Sequence, residues 1–229
     1  MNRYLEAYKA RQCTVDDVLA AIRDRDFVAT SGGVNAPLLF YKNIHKIAPR
    51  LKQGIDFFYG TTYKKGDFEF LESQACKGKI RTLSGFVLCK DERGYIQEGR
   101  VDYVPTHYHS QGMKMIQARG GLDVYVAAVC PMDERTGYFR TSLSNVNETD
   151  FRNSAKKIFL EVVPSLPVIY GNNEIHVSEA DGIYEYDHPL ETMDPLPFGE
   201  VEKQIGSYVA GLVEDGSTIQ LGIGAIPDA

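Results

Sequence analysis

Residues Leu122–Val129 read Leu-Asp-Val-Tyr-Val-Ala-Ala-Val, an apolar run that is nearly continuous rather than alternating. A strand covered on one face alternates apolar and polar residues, whereas a strand covered on both faces reads as an unbroken apolar run. Asp26-Phe27-Val28-Ala29-Thr30, Ile55–Tyr59 and Ile158–Val163 have the same character. Segments of helical period separate them. Thr14 reads as an N-cap with Asp16 and Asp17 behind it, and Val15, Val18, Leu19 and Ile22 form an apolar stripe. Leu38–Leu51, Gln111–Arg119 and Asn147–Lys157 read as further helices. Strands alternating with helices predict an α/β fold: a mostly parallel sheet with helices on both faces.

The remaining segments are less regular. Phe68–Lys77 reads as helical, Ile80–Leu88 as an apolar run broken at Ser84-Gly85, Glu92-Arg93-Gly94 as a turn, and Val101–Pro105 as a short strand. Residues 164–200, with their prolines and Asn172-Asn173, read as irregular surface chain and a domain connector. A helix over Val201–Val213 and a strand over Ser217–Leu221 follow, then the bend Gly222-Ile223-Gly224-Ala225-Ile226-Pro227. A helix is expected to start near Pro227-Asp228, where Pro suits the first helical position and Asp a cap. The expected organisation is one α/β domain over residues 1–197 and, over 198–229, the truncated start of a second similar domain. The chain then reads as the front part of a longer protein.

Composition narrows the function classes. The 229 residues are 43% hydrophobic with a formal net charge of −6, and no Lys/Arg cluster marks a nucleic-acid footprint. No apolar run approaches the roughly 18 residues of a membrane span. The N-terminus, Met-Asn-Arg-Tyr-Leu-Glu, is too polar for a secretory leader. Cys13, Cys76, Cys89 and Cys130 form no metal-ligand spacing, which predicts reduced thiols in a cytoplasmic protein without a metal.

Two glycine turns stand out as places for chemistry. Ser31-Gly32-Gly33 follows the first strand, and Gly222-Ile223-Gly224 follows the last. Glycine lets backbone N–H groups approach a ligand, so either turn could present donors to an anion or a carbonyl oxygen, and either could be a plain tight turn. The second is not a dinucleotide fingerprint, because Pro227 stands where a third glycine belongs. His107 and His109 read as loop histidines lining a pocket rather than as metal ligands, and Asp133-Glu134, paired carboxylates after a buried strand, as a solvated loop. Ser31 lies in no G-x-S-x-G elbow, which argues against a serine hydrolase.

The stretch Asp215-Gly216-Ser217-Thr218-Ile219-Gln220-Leu221-Gly222-Ile223-Gly224-Ala225-Ile226-Pro227-Asp228-Ala229 resembles a motif of the acetyl-CoA hydrolase/transferase family, nearest to its 4-hydroxybutyrate and butyrate:acetate CoA-transferases. Pro131-Met132-Asp133-Glu134 with Gly137-Tyr138-Phe139, Ala155-Lys156-Lys157-Ile158, Glu161-Val162, Val104-Pro105, and Ile175-His176-Val177-Ser178 with Asp181 resemble other family segments, in the family's order. Cys130 stands where the family usually has Ser, and Val163-Pro164 where it has Asn.

The resemblance implies two similar α/β domains with the active site between them. It implies ping-pong exchange of coenzyme A between short-chain carboxylates. A glutamate attacks an acyl-CoA thioester to form a mixed anhydride, CoA returns to give a glutamyl-CoA thioester, and a second carboxylate takes the CoA. The family's glutamate follows the IPDA block, so no catalytic residue is expected within this chain, and the chain alone is expected to be inactive. No bound cofactor is implied; the CoA thioester is substrate. Gln220, Gly222, Ile223, Gly224, Ala225 and Pro227 are the residues expected to contact acyl-CoA and hold the oxyanion, a donor being worth about 2.7–4 kcal/mol. Ser31, Gly32, Gly33, Tyr59 and Gly60 would line the acyl or carboxylate side. The partners implied are an acyl-CoA and a short-chain carboxylate, with a homo-oligomer or association with the rest of the protein. An acyl-CoA hydrolase and a non-catalytic acyl-CoA-binding module are the alternatives.

Overall fold

The computed structural model describes residues 2–60, 69–87, 90–190, 192 and 196–229. Chain contacts divide it into two compact units, Met1–Leu190 and Glu191–Ala229.

The first unit is built on a seven-stranded sheet. Its strands are β1 (Phe27–Thr30), β2 (Ile55–Phe58), β3 (Ile80–Ser84), β4 (Val101–Tyr103), β5 (Leu122–Val129), β7 (Ala155–Val162) and β9 (Gly182–Glu185). Their order is β4-β3-β2-β1-β5-β7-β9 and every pairing is parallel. A parallel sheet needs cover on both faces, and both are covered. On one face α2 (Val15–Ala21), α3 (Leu38–Asn43) and the 3-10 segment Ile44–Arg50 pack Val18, Phe40, Tyr41 and Ile44 against Val28, Phe57 and Val126. On the other, α6 (Gln111–Arg119) and α7 (Glu148–Ser154) pack Met115, Ile116 and Phe151 against Ala29, Tyr125 and Leu160. A small antiparallel ribbon of β6 (Tyr138–Arg140) and β8 (Glu174–His176) lies outside the sheet.

Local sequence explains several boundaries. Thr14 and Asp17 form the reciprocal cap that starts α2, each side chain bonded to the other's backbone N–H. Gly120, at φ 75°, closes α6 in the left-handed conformation that suits glycine.

Elsewhere tertiary contacts override the local signal. The helix expected over Asn147–Lys157 stops at Ser154, because Ala155 and Lys157 pair with Leu122 and Val124 of β5. Residues 164–200 are not wholly irregular: β9 forms a buried edge beside β7. The N-terminal segment, which follows α1 (Arg3–Lys9), covers that edge, Ile183 bonding through its N–H to Arg11 O and through its O to Cys13 N–H. The turn expected at Glu92-Arg93-Gly94 lies inside α5 (Lys90–Gln97), where buried Glu92 is held by Ser84 and Tyr59. The helix expected over Leu38–Leu51 turns 3-10 after Asn43, with Pro49 inside the 3-10 segment. The helix expected over Phe68–Lys77 resolves into α4 (Glu69–Glu72) and the 3-10 turn Gln74–Cys76, and the run expected over Ile80–Leu88 is a strand only to Ser84. Phe68 and Leu88 of those expected segments, and Cys89, lie outside the described residues.

The second unit carries α8 (Glu200–Ala210), capped by Glu202 on the N–H of Gly199, and the short α9 (Ala225–Asp228). Ser217–Leu221 forms no strand. A strand exists only where a neighbour completes its hydrogen bonds, and the described residues of the second unit supply none. α9 begins at Ala225, two residues before the expected start, with Gly224 at φ 143° as its cap.

Candidate functional site

The strand order runs outward in opposite directions from the β1–β5 pair. In open α/β sheets the crevice at such a reversal, beyond the carboxyl ends of the strands, is where ligands bind. Ser31-Gly32-Gly33 leaves β1 at this position. The N–H of Ser31 bonds Val126 O at 3.1 Å. Its hydroxyl accepts from Ala128 N–H at 2.9 Å and donates to Asn35 O at 2.5 Å. The Ser31 side chain thus extends the β1–β5 ladder by a rung and folds the turn; fully buried, it has spent its donor. Gly33 takes φ 61° and opens the 3-10 turn Gly33–Asn35. Among the described residues, no acceptor pairs with the N–H of Gly32 or Gly33.

Tyr59-Gly60 leaves β2 alongside. A Cβ at Gly60 would lie 2.2 Å from Gly32 Cα and 2.5 Å from Gly32 N, so the two turns touch through backbone. Tyr41 of α3 reinforces the contact. Its buried hydroxyl donates to Gly60 O at 3.0 Å and lies 2.7 Å from Thr30 Oγ1, which accepts Gly60 N–H at 3.1 Å. Tyr59 itself turns inward and donates to Glu92; burial and that carboxylate push its hydroxyl pKa far up. Ser31, Gly32, Gly33, Tyr59 and Gly60 are therefore assembled at one place.

Several residues that the sequence reading passed over join this edge. Asn35 is fully buried, its Nδ2 donating to Ser144 O at 3.0 Å while its Oδ1 has no partner among the described residues. Gln111 Oε1 is likewise buried and unpaired, filling space over Gly85 that a Cβ would take, at 2.0 Å. Asn147 Oδ1 accepts Gly112 N–H at 3.0 Å and so ties the starts of α6 and α7 together. Glu148 accepts Asn147 N–H at 2.9 Å, and burial pushes its carboxyl up to about 7.

Gln220, Gly222, Ile223, Gly224, Ala225 and Pro227 lie in the second unit. Gln220, Gly222 and Ile223 are exposed there. Gly222 and Gly224 fold over Pro227, and Gly224 O accepts Asp228 N–H at 3.0 Å. His107 and His109 are exposed and stacked on each other at 5.7 Å. Asp133 holds the turn before β6 by accepting Arg135 N–H at 2.9 Å. Among the described residues, no group of three or more His, Cys, Asp or Glu side chains is arranged to hold a metal. No helix among them is long and apolar enough to cross a membrane.

An open parallel α/β sheet with glycine turns joined at its reversal point defines the class. The acetyl-CoA hydrolase/transferase N-terminal domain matches residues 1–193, and the chain belongs to that family. It is 31% identical over 226 residues to a succinyl-CoA:cyclohexane-1-carboxylate CoA transferase of Geobacter metallireducens, covering 99% of this chain and 50% of that protein. It is 32% identical over 225 residues to a 4-hydroxybutyrate coenzyme A transferase of Clostridium kluyveri, covering 98% and 51%. The crystal structure of RipA from Yersinia pestis shares the fold, with a TM-score of 0.84 at 24% identity over 99% of this chain and 54% of that one. The chain spans about half the length of the curated relatives it matches.

Proposed function

We propose that this chain is the N-terminal part of an acyl-CoA:carboxylate CoA-transferase. The observation that carries the reading is the joining of Gly32 and Gly60 at the sheet's reversal point in a chain of this family. Backbone amides with no acceptor among the described residues suit a thioester oxygen, because a fixed donor stabilises the charge that develops on it. The curated relatives named above are both CoA transferases, one acting with succinyl-CoA and one with 4-hydroxybutyrate.

In the proposed reaction a glutamate carboxylate, on polypeptide beyond residues 1–229, attacks the thioester carbon and the C–S bond breaks. The CoA thiolate then attacks the glutamyl carbonyl of the anhydride and releases the first carboxylate. The second carboxylate reverses both steps. Gly32, Gly33 and Gly60 line the acyl side. Gln220, Gly222, Ile223, Gly224, Ala225 and Pro227 serve the thioester from the start of a second domain. Ser31 and Tyr59 hold the first turns in shape. The CoA thioester is substrate and no cofactor stays bound. The complete enzyme works in the cytoplasm as a homo-oligomer.

Titration of residues 1–229 with acetyl-CoA and with ribose 5-phosphate tests the ligand class, and exchange of labelled acetate into acetyl-CoA tests the division of the site. The expected result is binding of the thioester, none of the sugar phosphate, and no exchange. Preferred binding of ribose 5-phosphate overturns the ligand assignment. Exchange at a full enzymatic rate overturns the placement of the nucleophile.

A further inference from the structure

Glu161 is a carboxylate near the C-terminal end of β7, flanked by Leu160 and Val162 and fully buried. Such a group is costly to bury unless something specific takes its charge, and among the described residues no Lys or Arg lies against it. Backbone N–H groups hold it, with the Tyr184 hydroxyl beside it. Oε1 accepts the N–H of Leu39 and Oε2 that of Phe40, each at 3.2 Å. These are the second and third residues of α3, whose first-turn N–H groups have no helical acceptor. The residue before the helix is Pro37, which has no side-chain oxygen to offer them. Glu161 is a cap supplied from another strand.

α3 begins where the Ser31–Pro37 loop ends. The loop's near end is pinned by the Ser31 hydroxyl and by Tyr41, itself a residue of α3, whose hydroxyl lies 3.4 Å from Ser31 O. Its far end is pinned by Glu161. We infer that Glu161 is a positioning residue: by capping α3 it sets the placement of Gly32-Gly33 and, through Tyr41, of Gly60. The part concerning ligand binding rests on the proposed function; the part concerning the loop does not.

Each carboxylate oxygen holds one N–H, so protonating the group weakens one of the two bonds. Burial pushes the Glu161 carboxyl up to about 7, which puts this change in an accessible range. The titratable groups around it are the hydroxyl of Tyr184 on β9 and, beyond that, the thiol of Cys13, both pushed up by burial and uncharged near neutrality. The Leu38 N–H also faces the carboxyl.

Amide hydrogen exchange on residues 1–229 tests the inference, with rates corrected for the intrinsic pH dependence. In the unaltered chain, exchange at Leu39 and Phe40 should accelerate as pH falls through about 7, while β1 and β5 stay protected. In Glu161→Gln that pH response should vanish, with one of the two amides exchanging about tenfold faster or more at pH 8. Acetyl-CoA affinity of the variant should fall by a similar factor. Unchanged exchange at Leu39 and Phe40, or acceleration spread equally over β1 and β5, overturns the inference. Should Glu161→Gln fail to fold, the pH response of the unaltered chain decides alone. If the unaltered chain binds no acetyl-CoA, the functional reading fails while the exchange result still judges the cap.

Discussion

Gly60 sits against Gly32 so closely that its position has no room for a side chain: a Cβ there would also stand 2.6 Å from Ser31 O. The atoms it would meet are backbone, held by the β1–β5 ladder and by Tyr41, and cannot swing aside. Overpacking of this kind costs about 1–3 kcal/mol. Gly60→Ala should lower unfolding stability by that amount in urea titration. A midpoint equal to that of the unaltered chain would show that the two turns separate freely.

Ser31 provides a second check on the same edge. Removing its hydroxyl strands the Ala128 N–H and takes a donor from Asn35 O in a region closed to water. An unpaired buried polar group costs about 1–3 kcal/mol. Ser31→Ala should therefore destabilise the fold, and it should speed amide exchange at Ala128 ahead of the rest of β5. A purely ligand-facing serine would lose binding and leave stability untouched.

Gly94 lies in the middle of α5, and a Cβ there meets nothing within 4 Å. Alanine is favoured over glycine in a helix interior by about 0.8–1 kcal/mol. Gly94→Ala should raise the thermal midpoint. A fall would mean that α5 is not continuous through this residue in solution.

The buried carboxyls Glu148 and Glu161 should make stability depend on pH in an unusual direction. Burial raises each from an ordinary 4.5 to about 7 in the folded chain. The folded state then holds more protons than the unfolded one between those values. Their contribution is fully present below about pH 4.5 and is lost as pH rises through about 7. Urea midpoints across pH 4–8 should show the stability difference between the unaltered chain and Glu148→Gln or Glu161→Gln changing over this window. A difference independent of pH would place both carboxyls in contact with water.

The fold class was legible because burial on both faces leaves a one-dimensional trace. Leu122–Val129 is β5 to the residue, and the Gln111–Arg119 helix is α6 to the residue, since an apolar run and a helical stripe are local patterns. The N-cap at Thr14 was legible for the same reason, its partner Asp17 being three positions away. Elements whose support comes from afar were not legible. β9 is short and begins with glycine, and only its neighbours β7 and the N-terminal segment make it a strand. Ser217–Leu221 carries a strand's composition and forms none, because composition cannot provide a neighbour.

The site divides in the same way. The glycine turns announced themselves as residues, and so did the family motif that contains the second of them. That the first touches Gly60, that Ser31 spends its hydroxyl on Ala128, and that Glu161 caps a helix 122 positions away at Leu39 were decided by tertiary structure alone. The physical reason is the range of the forces. Backbone propensity and apolar period act between near neighbours and are written along the chain, whereas a hydrogen bond or a steric contact acts over a few ångströms of space and exists only after the sheet has brought distant residues together.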